Sequence, residues 1–180
     1  MNIVSLLGSP STRSRSRCLL QLAQDRVQAA EATIDLIAVR DLPCAALLHG
    51  DASGAPIRWA IERIAEADLV LVATPIYKAA YSGLLKLFLD LLPPDALRGK
   101  TVLPLATGGS LVHFLALDYA LKPVLAALGA RHILDGVYAT EAQFAPLPSG
   151  GYLADASLQE RLDRALRTLL PTSALARCSA

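Results

Sequence analysis

Apolar and polar positions along this chain switch repeatedly between a strand-like and a helix-like period, and the switches mark its elements. Ile3-Val4-Ser5-Leu6-Leu7 is a short, nearly continuous apolar run, the pattern of a buried strand. Over residues 17–30, Leu19, Leu20, Ala23, Val27 and Ala30 recur every three to four positions, which predicts a helix with one buried face. Residues 33–39 read as a second strand. Residues 40–56 carry Pro43, Gly50, Gly54 and Pro56 and lose any period, so a long irregular connection is expected there. Ile57, Ile61 and Ile64 set a second helix ending near Ala67, and Leu69-Val70-Leu71-Val72-Ala73 follows as a strand buried on both faces. In the next helix Leu84, Leu85, Leu87, Phe88, Leu89, Leu91 and Leu92 leave almost no polar face. Such a helix needs cover on every side, and a neighbouring subunit is the simplest cover. Residues 101–106 make a fourth strand with Pro104 as an awkward member, residues 111–128 a helix that Gly129 stops, and residues 132–138 a fifth strand. After a Pro/Gly-rich connection at 145–151, Leu158, Leu162, Leu166 and Leu169 mark the last helix. Pro171 ends the ordered part, and residues 172–180 are expected to fray.

Five strands alternating with five helices, without internal repeats or low-complexity segments, predict an α/β fold of the flavodoxin-like kind. This is a doubly wound five-stranded parallel sheet, order 2-1-3-4-5, with helices on both faces. At 180 residues the chain suits one domain, spanning 1–171 with a short tail. Ligands of such sheets sit at the carboxyl ends of the strands, near the switch point between the first and third. The first, third and fourth strands end there in three unusual loops, at 8–16, 74–82 and 107–110.

Composition narrows the partners. Lys and Arg number 17 against 16 Asp and Glu, a net charge of +1, which argues against nucleic acid. Charged residues make up 18% and apolar ones 53%, so the extra apolar surface is expected to go into a homo-oligomer. Cys18, Cys44 and Cys178 lie far apart without a C-x-x-C pair, so neither a metal site nor a disulfide frame is expected. The first residues enter a strand without a basic leader, and Asp118, Lys122 or prolines interrupt the apolar stretches. A cytoplasmic protein away from the membrane is expected.

The first loop, Gly8-Ser9-Pro10-Ser11-Thr12-Arg13-Ser14-Arg15-Ser16, carries five hydroxyls and two arginines without one acid, and delivers them to a helix N-terminus. Free N–H groups and the helix dipole attract an anion there; a Ser-rich helix cap would look the same. The loop lacks the Gly-Lys-Ser/Thr ending of a P-loop and the three glycines of a dinucleotide fingerprint. Hydroxyls with one or two arginines suit a terminal phosphate monoester, as in FMN. Pro75, Ile76 and Tyr77 can lie along a flat ring, and Gly108 and Gly109 let main chain approach one, although each loop alone is also an ordinary turn. No Ser-His-Asp order, paired carboxylates or ligand cluster lies in or near the loops. Pro123 interrupts the fourth helix pattern and would clash with the carbonyl of Tyr119, at a cost of about 3 kcal/mol. A one-residue π-bulge around Tyr119 would relieve it, predicting i to i+5 bonding between about Leu115 and Val124.

Four segments carry a family resemblance. They are Gly8-Ser9-Pro10 with Ser14-Arg15-Ser16; residues 73–83, Ala-Thr-Pro-Ile-Tyr-Lys-Ala-Ala-Tyr-Ser-Gly; residues 103–109, Leu-Pro-Leu-Ala-Thr-Gly-Gly; and Asp118-Tyr119-Ala120-Leu121-Lys122-Pro123. Over residues 1–138 the chain resembles the NADPH-dependent FMN reductases of the flavodoxin-like superfamily, most closely the subgroup that supplies reduced flavin to alkanesulfonate monooxygenases. The resemblance implies FMN held at its phosphate by Ser9, Ser14, Arg15 and Ser16, and around its ring by Pro75, Ile76, Tyr77, Lys78, Thr107, Gly108 and Gly109. It implies hydride transfer from NADPH to the flavin with no acid–base residue required, a monooxygenase partner, and a dimer or tetramer. In that subgroup an inserted tyrosine, here Tyr119, forms a π-helix at the tetramer interface and is associated with flavin that is released as a substrate. The family usually has an arginine after Gly-Ser-Pro; Ser11 stands here, with Arg13 or Arg15 available to carry that charge. Two other readings stay open: a quinone, azo-dye or metal-ion reductase with tightly bound FMN, and a flavodoxin-type electron carrier, whose usual acidity is missing. A phosphoreceiver domain is disfavoured because the third strand ends at Thr74 rather than at an aspartate.

Overall fold

The computed structural model describes residues 1–28, 32–167 and 169. Along the chain run β1 (Asn2–Leu7), α1 (Arg15–Gln28), β2 (Thr33–Ala38), α2 (Cys44–His49), α3 (Ala55–Glu66), β3 (Leu69–Tyr77), β4 (Ala80–Tyr81) and α4 (Gly83–Leu89). Then follow β5 (Thr101–Gly108), α5 (Lys122–Ala127), β6 (His132–Ile133), β7 (Val137–Thr140), β8 (Phe144–Pro146), β9 (Tyr152–Ala154) and α6 (Ala156–Leu166). The main sheet runs β2-β1-β3-β5, with β6 and β7 sharing the far edge of β5, and all these pairings are parallel. That is the expected 2-1-3-4-5 order, with the switch point between β1 and β3.

The pleat divides the core in two. Val4, Leu6, Val70, Val72 and Val102 face one side, with Ile57 and Ile64 of α3 and Leu85 and Phe88 of α4. Ile3, Leu7, Leu69, Leu71, Leu103 and Leu105 face the other, with Leu19 and Leu20 of α1 and Leu158 and Leu162 of α6. Burial on both faces is why these strands read as apolar runs rather than alternating ones.

The fifth strand position departs from the expected single strand over 132–138. The Val102 carbonyl accepts from the Leu134 N–H at 2.9 Å, so backbone alternation turns the missing N–H of Pro104 to that same edge. The ladder breaks opposite it, between Ile133 and Val137, and Gly136 fills the gap where a Cβ would come within 3.2 Å of the Pro104 carbonyl.

The fourth helix pattern is likewise segmented. A 3-10 turn (Leu111–His113) leads to a π-turn (Leu117–Leu121) and only then to α5. The Lys122 N–H donates to the carbonyl of Leu117, five residues back, as the clash at Pro123 required. The connection expected over 40–56 contains a 3-10 turn (Val39–Asp41) and α2. The loop expected over 74–83 is a hairpin: β3 continues to Tyr77 and pairs antiparallel with β4. Its turn residues, Lys78 and Ala79, adopt φ of 50° and 63°, the left-handed pair of a type I′ turn that usually calls for Asn-Gly. Local sequence does not ask for that turn, and strain of this kind is found beside functional clefts. The expected end at Pro171 and the tail at 172–180 lie outside the described residues.

Ser82 ties the hairpin to the first loop. Its N–H donates to Thr74 Oγ1 at 3.0 Å, its Oγ accepts from the Leu85 N–H at 3.1 Å to cap α4, and its hydroxyl donates to the Gly8 carbonyl. Ser82→Ala removes a helix cap and strands a buried carbonyl, an expected loss of about 2 kcal/mol. A lower urea midpoint at unchanged slope checks it.

Candidate functional site

The carboxyl ends of β1, β3 and β5 surround a cleft of about 290 Å3. Its first wall is the loop between β1 and α1. There the Ser14 hydroxyl accepts from the Arg17 N–H at 3.1 Å and so caps the 14-residue α1, keeping its own O–H proton available. Ser9 and Ser16 are buried beneath the loop, and Ser16 Oγ lies 2.6 Å from Thr107 Oγ1, which joins this wall to the third loop. The second wall is the end of β3, with Pro75, Ile76 and the half-exposed Tyr77.

The third wall is Thr107-Gly108-Gly109 at the end of β5. A Cβ on Gly108 would overlap the Tyr138 hydroxyl, which donates to the Ser110 carbonyl at 2.7 Å and pins the loop. Burial pushes that phenol's pKa up, so it remains a donor. A Cβ on Gly109, by contrast, would meet nothing within 4 Å. The backbone there faces open space.

Ten of the residues singled out in the sequence therefore meet around one cleft: Ser9, Ser14, Arg15, Ser16, Pro75, Ile76, Tyr77, Thr107, Gly108 and Gly109. Lys78 does not line it; it sits exposed at the hairpin tip, with a φ of 50°. Tyr119 stands apart on the π-turn, 79% exposed. Ser11, Arg13, Glu141 and Tyr152 also line the cleft. Glu141 directly follows β7, so the rule that placed the other loops at strand ends could have found it. Tyr152 comes from the β8–β9 hairpin, where the sequence shows only prolines and glycines between elements.

Two contacts hold Arg15, and a third polar atom is left unpaired. Nη1 donates to Glu141 Oε1 at 3.0 Å, the guanidinium carbon lies 5.0 Å from the centre of the Tyr152 ring, and Nε is buried without a hydrogen-bond partner. Tyr152 in turn meets Phe144 edge-on, 6.2 Å between centroids. Hydroxyls on four serines, two guanidinium groups and a helix N-terminus suit a phosphate monoester, and the open backbone at Gly109 suits a planar group. A shallower depression of about 370 Å3 adjoins the cleft and shares Arg13, Ser14 and Tyr152 with it.

Residues 1–145 match the model of the family described as NADPH-dependent FMN reductase. The chain belongs to this family. It is 44% identical over 168 residues to "FMN reductase (NADPH)" of Escherichia coli strain K12, covering 93% of this chain and 87% of that one. It is 35% identical to "NADH-dependent FMN reductase SfnF" of Pseudomonas putida, over 94% and 91% of the two chains. The crystal structure of an NADH:FMN oxidoreductase (EMOB) in its apo form superposes with a TM-score of 0.83 at 41% identity, covering 94% and 90%. The family chemistry is oxidoreduction, with FMN as flavin and NADPH as nicotinamide donor, and the cleft residues fit that flavin. Among the described residues, no helix is long and apolar enough to cross a membrane.

Proposed function

We propose that this chain handles FMN as a substrate that enters, is reduced and leaves, and that the reduced flavin is passed to a flavin-dependent monooxygenase of the alkanesulfonate type. The observation that carries the reading is the cleft where a hydroxyl- and arginine-rich loop opens beside the ends of β3 and β5. Ser9, Ser14 and Ser16 offer hydroxyls and Arg15 a guanidinium to the phosphate, while the N-terminus of α1 adds its dipole. Pro75, Ile76 and Tyr77 bound the ring on one side and Thr107, Gly108 and Gly109 on the other. Bound FMN supplies the hydride acceptor for the nicotinamide donor. The protein's part is orientation: Tyr77 and the Gly108–Gly109 backbone restrict where a second flat ring can stack. Lys78, at the hairpin tip outside the cleft lining, is proposed to meet the donor's phosphates rather than the flavin.

Release is assigned to the π-turn. It packs on β4, the returning strand of the hairpin whose other strand bounds the flavin ring, so a change at Tyr119 has a short path to the cleft. The same segment exposes Leu111, Val112, Phe114, Leu115 and Tyr119, with Val112 at 82% and Tyr119 at 79%. A second copy of this chain is the occupant proposed for that face, giving a dimer or tetramer. Val112→Asp is expected to shift the protein to monomer in size-exclusion chromatography with light scattering. The cytoplasm is the proposed location, where both nicotinamide nucleotide and monooxygenase would be met.

Steady-state oxidation of NADPH and NADH, with and without free FMN, tests the reading. A protein that purifies colourless and oxidises NADPH only when FMN is added supports it. A yellow protein that oxidises NADPH with a quinone and no added flavin contradicts it. The relatives are named for both nucleotides, so the ratio of the two kcat/KM values assigns the donor.

A further inference from the structure

Among the described residues that line the flavin cleft, Glu141 is the one carboxylate, and Arg13 and Arg15 are the two cations. A phosphate monoester carries about −1.5 to −2 near neutral pH, so a carboxylate beside its binding arginine opposes it. The detail at Arg15 makes the opposition specific. A guanidinium grips phosphate through a two-donor edge, and it has two such edges: one includes Nε, the other is formed by the terminal nitrogens. Nε is buried, which closes the first edge to a ligand. On the remaining edge, Nη1 is already taken by Glu141 Oε1 at 3.0 Å. The guanidinium carbon sits over the Tyr152 ring, 5.0 Å from its centre, and this packing favours the side-chain position seen. Both partners keep solvent contact, with side chains 33% and 55% exposed, so the pair is weak enough to be exchanged.

We propose that Glu141 is a built-in competitor for Arg15, holding the guanidinium when flavin is absent and yielding it when the FMN phosphate arrives. It thereby sets how loosely the phosphate end of the flavin is held, and acts through Arg15 as a positioning residue. The proposal rests on the cleft being the FMN site. Its consequence is selective: the competition loosens FMN, which has a phosphate, and leaves riboflavin, which has none, untouched.

The test is the ratio of FMN to riboflavin affinity, from fluorescence titration of each flavin into the purified protein. Glu141→Gln is expected to raise the ratio about three- to fivefold, the range open to a solvent-exposed ion pair. Glu141→Asp, which keeps the charge, is expected to stay within about twofold of the unmodified protein. On an Arg15→Gln background the Glu141→Gln change is expected to move the ratio by less than about twofold, since nothing remains to compete for. A lowered ratio in Glu141→Gln would mean that the carboxylate prepares Arg15 for the phosphate, and would overturn the proposal. So would an unchanged ratio, or a rise of equal size without Arg15, which would mark direct repulsion. An unmodified protein that binds neither flavin overturns the FMN reading itself, a result distinguishable from all of these.

Discussion

A variant lacking Tyr119 is expected to purify yellow, with FMN bound, and to turn over free FMN more slowly by about tenfold or more. The π-turn Leu117–Leu121 contains one residue more than an α-helical path needs, and the Lys122 N–H reaches back to Leu117 because of it. Deleting Tyr119 brings the bonding back toward i to i+4 and withdraws the most exposed aromatic side chain of the 111–121 segment. β4 rests on this turn, so the hairpin carrying Tyr77 settles and the ring is held longer. Flavin departure then limits turnover. The absorbance of the purified variant near 450 nm and its steady-state rate with free FMN check the expectation; a colourless variant with unchanged kcat would assign the π-turn no part in release.

Gly108→Val is expected to lower kcat/KM for FMN by about 100-fold, the scale of a loss caused by misplacing a binding wall by about 1 Å. Any Cβ at this position overlaps the Tyr138 hydroxyl, so either the phenol turns away and leaves the Ser110 carbonyl, or β5 shifts at its end. Both outcomes move Thr107, whose hydroxyl meets Ser16 at 2.6 Å, and the damage therefore reaches the phosphate loop. Gly109→Ala is the matched control at the level of fold, because its Cβ meets nothing within 4 Å. Thermal unfolding of the two variants separates a collapsed wall from a lost fold. If Gly108→Val keeps full activity, the third loop does not bound the ring.

Much of this was legible because the strands are buried on both faces. Continuous runs such as 69–73 announce their position in a parallel sheet, and the turn residues then fall where a doubly wound fold keeps its ligands. Pro123 was legible for a similar reason: one missing N–H has few structural solutions, and the π-turn is one. What escaped was decided by partners distant in sequence. The split of the fifth strand depends on Pro104 lying across from the break between Ile133 and Val137, a neighbourhood invisible until the strand order is known. The hairpin at 77–80 runs against the local preference of Lys78 and Ala79, so only tertiary structure can impose it. Tyr152 reaches the cleft from 134 residues beyond Cys18, whose thiol donates to its carbonyl at 3.2 Å, and no motif marks it.

In the proposed mode of binding, one cleft holds FMN by its phosphate at 9–16 and by its ring between 75–77 and 107–109. A crystal structure of the FMN complex tests it most directly. The phosphate is expected within hydrogen-bond distance of the Ser14 and Ser16 hydroxyls and Arg15, with the ring between Tyr77 and Gly109. A phosphate seated instead in the neighbouring depression lined by Arg17, Gln21 and Leu147 would contradict it.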